Sequence, residues 1–463
     1  MTTDLNLDLI RMKMRTRNIS DFYIQNFLEQ VRKVAESSSG SVDLRSVQTP
    51  KSDLLLERPN NPEELNRLTL EGLKLLRNVA VIKLNGGRST TMGGNVPKCI
   101  LTAKDGYSYL EIICRQIECF RRLNQCCTPL ALMNSFFTNG PTLNLLAQIG
   151  FEAVTFIQNR VPRLLTDNLV PLDLGNQEDW APPGHGDIFE SLVDSGVMKT
   201  LLDSSIKWAF ISNLDNLAAT IEPWILGLVA KEKIHFLLEV TPRTQEDCKG
   251  GTLVVRNGTL ELVEIAQVSD HDKPLFMDIE NFKVFNTNNV WVDLETTNQL
   301  LDSRRFELPI IQNKKVIKGH SVVQLETAMG AAISSFKSSK GLVVGRDRFF
   351  PTKRLEDLFV LQSDACVLDS SFNVCRNPDR PVELSFRPQV MFHRSFLDSP
   401  LEFLKRFEAP ETVSLLTAEA LTVSGDVYFE RNVRIEGMVS IEPKAGVHYR
   451  IPAGSILRSG VYP

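Results

Sequence analysis

Four segments carry residues whose types and spacing suit the handling of phosphate. Asn85-Gly86-Gly87-Arg88-Ser89-Thr90-Thr91-Met92-Gly93-Gly94 combines closely spaced glycines with a cation, and Pro97-Lys98 follows it. Glycine lets a backbone approach a ligand closely, and successive N–H groups form an anion cradle. The spacing is neither that of a Walker A loop nor that of a Rossmann fingerprint, so a polar surface loop is an equal reading. Pro182-Pro183-Gly184-His185-Gly186-Asp187 brackets one histidine with glycines, where the ring either faces a ligand or serves structure alone. In Asn213-Leu214-Asp215-Asn216, Asp215 is either a helix N-cap or a single carboxylate that holds Mg²⁺ together with substrate phosphates.

These segments need a scaffold, and the apolar runs supply one. Val79-Ala80-Val81-Ile82-Lys83-Leu84 reads as a buried parallel strand running into the glycine loop. Thr128 to Met133, Ile206 to Ile211 and His235 to Val240 repeat the pattern, with helical periodicity between several of them, as from Tyr109 to Leu123. Alternating strands and helices predict an α/β layer with a mostly parallel sheet. Asn213 to Asn216 then falls at a strand end, where open α/β sheets bind ligands. Thr252 to Val255 and Leu260 to Val263 flank Asn257-Gly258 and predict a β-hairpin, which makes the sheet arrangement mixed. Gln324 to Ala332 reads as a helix rich in small residues.

The ends of the chain differ from its middle. Ser20-Asp21 caps a predicted helix bearing Tyr23, Phe27, Val31 and Val34, and Ser37 to Ser41 reads as a flexible break. Residues 1–60 therefore form an N-terminal helical extension, residues 61–390 the main domain and residues 391–463 a C-terminal unit. In that unit Leu421, Val427, Val433 and Val439 stand six apart, as do Val423, Phe429, Ile435 and Ile441. Such a period, with Gly425 and Gly437 at turns, predicts a parallel β-helix, left-handed in the expectation adopted here, rather than an antiparallel meander.

Composition narrows the partners. A net charge of −4 over 463 residues gives no general attraction for nucleic acid or anionic lipid, so any anion is held by a local site. No stretch approaches the roughly 18 apolar residues of a membrane span, and Met1 to Leu5 carries an early acid where a signal peptide needs apolar residues. The eight cysteines form no C-x-x-C pair and read as reduced, mostly buried thiols, Cys126-Cys127 among them. A cytoplasmic protein is the expectation.

Taken in order, Leu84 to Gly87, Pro97-Lys98, Pro182 to Gly186, Asn213 to Asn216, Lys249-Gly250-Gly251-Thr252, Leu262 to Gln267 and Phe285 to Asn289 resemble the eukaryotic UTP–glucose-1-phosphate uridylyltransferases, the UDP-glucose pyrophosphorylases. The resemblance runs from about residue 79 to the C-terminus. It implies a glycosyltransferase-A-like nucleotide-binding domain and the reaction UTP + glucose 1-phosphate ⇌ UDP-glucose + pyrophosphate, with Mg²⁺. By the same resemblance, Leu84, Asn85, Gly86 and Gly87 form the nucleotide loop, Gln158 reads uracil and Gly184 lies against the base. Lys98 and Lys353 hold phosphates and are catalytic, and Asp215 takes the metal. His185 and Asn213 contact the sugar phosphate and the nucleotide. Gly251, Glu264, Asn286 and Asn288 match the glucose set. Relatives include monomers and oligomers built through the C-terminal β-helix, so either state is open.

Two alternatives remain: a uridylyltransferase for another sugar 1-phosphate, and a catalytically impaired nucleotide-binding homologue. The second arises because the family loop has an apolar residue or glutamine where Arg88 stands and a glycine where Ser89 stands. If that glycine served a positive φ or a close approach to phosphate, Ser89 costs on the order of a kcal/mol or more. Arg88 either adds a phosphate donor or holds the loop in another state.

Overall fold

The computed structural model describes residues 7–36, 42–92, 96–303, 305–397 and 402–463. The expected break at 37–41, Gly93-Gly94 of the loop and Met1 to Leu5 lie outside the described residues. Helices α1 (Leu7–Arg15) and α2 (Asp21–Glu36) come first. Ser20 Oγ accepts from the Tyr23 amide at 3.1 Å, the cap its position predicts. Tyr23, Phe27 and Val31 are buried against Val161, Leu164, Trp180, Val323 and Leu325 of the main body. Helix α1 buries only Ile10 and Met14, too few apolar positions to mark it in the sequence.

Strands β1 (Leu55–Glu57), β2 (Val79–Asn85), β3 (Leu130–Asn134), β4 (Val154–Ile157), β5 (Trp208–Asn213) and β6 (Phe236–Pro242) follow, with helix α3 (Tyr109–Asn124) between β2 and β3. The hairpin of β7 (Thr252–Arg256) and β8 (Thr259–Val263) precedes β9 (Val284–Asp293). A second hairpin, β10 (Ile310–Ile317) and β11 (His320–Thr327), precedes β12 (Ser339–Val343). The central sheet has the order β1-β12-β6-β9-β5-β2-β3-β4. Every pairing is parallel except those of β9, which runs antiparallel to both β5 and β6. This is the mixed, mostly parallel α/β sheet that the alternating runs predict.

Both faces of the sheet are covered, which explains the unbroken apolar runs. Val79, Val81, Phe210, Leu237 and Trp291 join one core, while Ala80, Ile82, Leu84, Ala209, Ile211 and Leu238 join the other. The edge strand β1 lies on the N-terminal side of residue 61, so the stretch before that boundary is not all helix.

Two local expectations are corrected. Residues 324–327 belong to strand β11, and only Met329–Ser335 is helical, as a 3₁₀ segment. Val322, Val323 and Leu325 are buried in a strand paired along its length to β10, and that pairing overrides the helix propensity of the small residues that follow. Cys127 is exposed and Cys126 half-buried, because the pair falls in the turn between α3 and β3. All eight thiols are free, four of them buried.

The C-terminal strands are β13 (Gln389–Phe392), β14 (Ser414–Val423), β15 (Asp426–Phe429), β16 (Arg434–Ile441), β17 (His448–Ile451) and β18 (Ile456–Tyr462). They form two parallel sheets, β13-β14-β16-β18 and β15-β17. Leu421 sits beside Val439 and Val423 beside Ile441, so residues three six-residue steps apart stack. All eight hexad positions are buried. Gly425 lies in a turn with φ +75°, whereas Gly437, expected at a turn, lies inside β16 with φ +71°. The expected β-helix is met at the level of parallel sheets.

Candidate active site

The carboxyl ends of β5, β2, β3 and β4 align in register. Asn213 pairs with Leu84, Asn85 with Asn134, and Asn134 with Ile157. Because β9 runs the other way, its beginning, Asn286 to Asn289, reaches the same edge. A register shift opposite Glu239 and Val240, with Asn288 at φ +60°, lifts that segment out of the regular ladder.

At the centre of this edge Lys98 Nζ donates to Asp215 Oδ2 and to the Thr352 carbonyl, each at 2.8 Å. Lys98 and Asp215 are both largely buried. Asp215 Oδ1 is buried with no hydrogen-bond partner. The Thr352 amide donates to the Asp215 carbonyl at 3.2 Å, which ties the segment carrying Lys353 to the Asn213–Asn216 loop. Asp215 is therefore the charged partner of Lys98, and no helix begins at it, so the N-cap alternative falls.

Toward β9 the residues expected to form the glucose set converge. A Cβ added to Gly251 would lie 2.5 Å from the Glu264 carboxylate, so only glycine admits that side chain here. The Asn286 amide donates to the Gly251 carbonyl at 2.9 Å, and Asn286 Oδ1 accepts from the Asn288 amide at 2.8 Å. Asn288 Nδ2 donates to Asn213 Oδ1 at 2.9 Å, while Asn288 Oδ1 is buried without a partner. Burial raises the Glu264 carboxyl pKa, opposed by Lys353, Arg243 and a hydrogen bond from Asn286. Asn213, Gly251, Glu264, Asn286 and Asn288 are thus one cluster, with Lys353 in electrostatic reach.

Toward β4 stands the other group. Gly86 abuts Gln158, whose Nε2 would lie 3.0 Å from an added Cβ. The Gln158 amide donates to the Asn134 carbonyl at 2.8 Å. Asn85 turns inward, donating through Nδ2 to Asn134 Oδ1 and Thr142 Oγ1 at 2.8 Å each, so its side chain clamps the loop base and leaves the loop backbone to a ligand. Gly87 has open space where a Cβ would go.

Ser89 is not among the residues with positive φ, and its hydroxyl donates to the Val96 carbonyl at 2.7 Å. The part of the cost that depends on a positive φ does not arise. Arg88 lies over the Phe137 ring, 3.9 Å from its centroid.

His185 Nδ1 accepts from the Met329 amide at 2.9 Å, which fixes the neutral tautomer with its proton on Nε2. Burial, reinforced by nearby Lys353, pushes its pKa down from 6.5 to about 4. Between these values the folded chain holds fewer protons than the unfolded one, so His185 contributes stability above pH 6.5 that is lost as pH falls toward 4. Proton NMR of the imidazole resonances should show one histidine titrating near pH 4; titration at 6.5 or above would contradict the desolvated, neutral ring. The bracketing glycines answer to packing, since a Cβ on Gly184 or Gly186 would lie 2.4 Å from Thr327 atoms.

The site also rests on residues with no local sequence signal. Glu239, fully buried in β6, accepts from Arg348 at 2.8 and 3.1 Å, from Trp291 Nε1 at 2.9 Å and from Asn289 Nδ2 at 3.0 Å. Asn216 accepts from the Phe350 amide and donates to the Arg348 carbonyl. Lys83, beneath the loop, donates to Ser212 Oγ and the Ala219 carbonyl at 2.8 Å, and burial with the Arg348 charge pushes its pKa down to about 7. These contacts hold Asn213 and Asp215 from below.

The family model for UTP–glucose-1-phosphate uridylyltransferase matches residues 24–436. The chain belongs to that family. Among curated members of the UTP–glucose-1-phosphate uridylyltransferases it is 38% identical to the one of Hordeum vulgare, over 95% of this chain and 93% of that one. It is 37% identical to that of Solanum tuberosum, over 95% and 92%. A mutant UDP-glucose pyrophosphorylase of Leishmania major in complex with UDP-glucose superposes with a TM-score of 0.87 at 32% identity, covering 98% of each chain. A UDP-glucose phosphorylase of Trypanosoma brucei gives the same score and identity over 98% of this chain and 99% of that one. No described helix of this uridylyltransferase is long and apolar enough to cross a membrane.

Proposed function

We propose that the protein is a nucleotidyltransferase that moves uridylyl from UTP to glucose 1-phosphate, releasing pyrophosphate. The observation that carries this reading is the coincidence of family membership with the gathering, at one edge of the sheet, of Lys98, Asp215 and the Gly251–Glu264–Asn286–Asn288 cluster. In it, Leu84 to Gly87 and Gln158 take the uridine end, with Gly184 and Asn213 beside the nucleotide. Lys98 and Lys353 take the phosphates, His185 the sugar phosphate, and Gly251, Glu264, Asn286 and Asn288 the glucose. The unpartnered Asn288 Oδ1 and the Glu264 carboxylate supply acceptors for sugar hydroxyls.

Direct displacement needs no covalent protein intermediate and no general base, because the phosphate of glucose 1-phosphate is already a nucleophile. The chain's task is to align two anions that repel each other and to set cations on the developing charge. His185 stays neutral and offers Nε2–H as a donor. Asp215 would hold Mg²⁺: its Oδ1 is a buried carboxylate oxygen without a partner. Among the described residues no group of three or more His, Cys, Asp and Glu gathers, which suits an ion held by one carboxylate and substrate phosphates. Bound there, Mg²⁺ would neutralise phosphate charge.

The parallel C-terminal sheets, stacked at three hexads per step, support a left-handed β-helix beginning near residue 391. Its edge strand β18, with Val461 exposed, would carry self-association if the protein is not a monomer. Eight free thiols support a cytoplasmic setting.

Pyrophosphate release from UTP and Mg²⁺ should be fast with glucose 1-phosphate and slow with N-acetylglucosamine 1-phosphate. Preference for the second sugar would move the substrate assignment. No turnover with either, in protein that binds UTP, would leave an impaired homologue.

A further inference from the structure

Beside the uridine end, three neighbouring parallel strands deliver a second set of residues. The segments leaving β2, β3 and β4 are Gly86-Gly87-Arg88, Ser135-Phe136-Phe137 and Gln158-Asn159-Arg160. The two arginines share an aromatic platform. Arg88 sits 3.9 Å from the Phe137 centroid and 6.0 Å from that of Phe136, and Arg160 sits 4.5 Å from that of Phe136. Neither guanidinium makes an ion pair or a side-chain hydrogen bond to any described residue. Ring contacts use the flat face of a guanidinium and leave its in-plane N–H donors directed outward.

Further arginines stand close by. Burial, together with Arg17, disfavours charge on Arg160. Burial and then Arg88 act in the same way on Arg163, but Arg163 is served by the Glu178 and Trp180 carbonyls and faces Glu178, Asp179 and Glu326. Arg88 and Arg160, without an ion-pair partner among the described residues, favour a bound polyanion, which would supply charge and acceptors.

Position selects which anion. In an in-line displacement the attacking and leaving oxygens lie on opposite sides of the transferred phosphorus. The incoming sugar belongs beside Gly251, Glu264 and Asn286, toward β9, on the proposed assignment above. Lys98 is already paired with Asp215 at the centre. Arg88 and Arg160 lie on the far side, toward β4, one residue beyond the Gly86-Gly87 backbone and two beyond Gln158. We propose that Arg88 and Arg160, mounted on Phe137 and Phe136, form the seat for the leaving pyrophosphate, the β- and γ-phosphates of UTP. This rests on the uridylyltransferase reading and assigns a specific role to the one cation that departs from the family loop.

The test is the reverse reaction, with UDP-glucose, pyrophosphate and Mg²⁺. Arg88→Leu should raise KM for pyrophosphate about tenfold or more while KM for UDP-glucose stays within about twofold, and Arg88→Lys should recover part of the loss. Phe137→Leu, which keeps the charge but removes its platform, should give a smaller rise of the same selectivity. An unchanged pyrophosphate KM in Arg88→Leu, or an equal rise for UDP-glucose, would overturn the seat. Calorimetric titration of pyrophosphate into the wild-type chain and into Arg88→Leu reads the seat without turnover. Wild-type protein that binds pyrophosphate through Arg88 yet does not turn over would refute the proposed function and not the seat.

Discussion

Lys98→Ala is expected to lower kcat about 100-fold or more, the scale of losing one preorganised donor at a developing charge. The geometry gives this number its reason. Lys98 is largely buried and fixed by Asp215 Oδ2 and the Thr352 carbonyl, so little reorganisation is needed when the α-phosphate charge builds. Alanine would remove that cation and also strand Asp215, whose Oδ1 already lacks a partner. Steady-state kinetics with both substrates saturating should show the loss in kcat, with a smaller change in KM for glucose 1-phosphate. Lys98→Arg would keep the charge but lose the fit, and should fall between the two. An alanine variant with unchanged kcat would remove Lys98 from the mechanism.

Arg348→Met is expected to destabilise the fold by about 3–5 kcal/mol, because it leaves the Glu239 carboxylate buried without its charged partner. Glu239 is wholly inaccessible, and its remaining donors, Trp291 Nε1 and Asn289 Nδ2, are neutral. The loss should be visible as a lower midpoint in urea unfolding at constant slope. Adding Glu239→Gln to Arg348→Met should recover a large part of it, since the uncompensated charge is then gone. A single variant within about 1 kcal/mol of wild type would show that Glu239 finds another partner or protonates without difficulty. Asn289 also accepts from Asn216, which anchors the Asp215 loop, so the same variant should raise both substrate KM values.

Much of the scaffold was readable because its causes are local. Alternation of side chains on a strand buried on both faces produces runs such as Val79 to Leu84, and Asn257-Gly258 produces its hairpin, whatever the rest of the chain does. The hexad positions from Leu421 to Ile441 are likewise set by a short repeat, and all are buried. Reading failed where a neighbour decides. Residues 324–327 look helical alone and become strand because β10 offers a full ladder. Cys127 looks apolar and ends in a turn.

The candidate site divides in the same way. Sequence by itself determined the family resemblance and the glycine loop, histidine turn and Asn213 to Asn216 as the segments to watch, since glycine and strand-end chemistry are written in adjacent residues. Only the tertiary structure decided which polar atoms meet. Lys98 finds Asp215 and Thr352 from distant parts of the chain, and Arg348 finds Glu239 from a different element. It also decided that Ser89 is unstrained, that Gly184 and Gly186 make room for Thr327, and that Arg88 rests on Phe137. Pairing, desolvation and ring contacts depend on separations of a few ångströms, and no spacing along the chain encodes those distances.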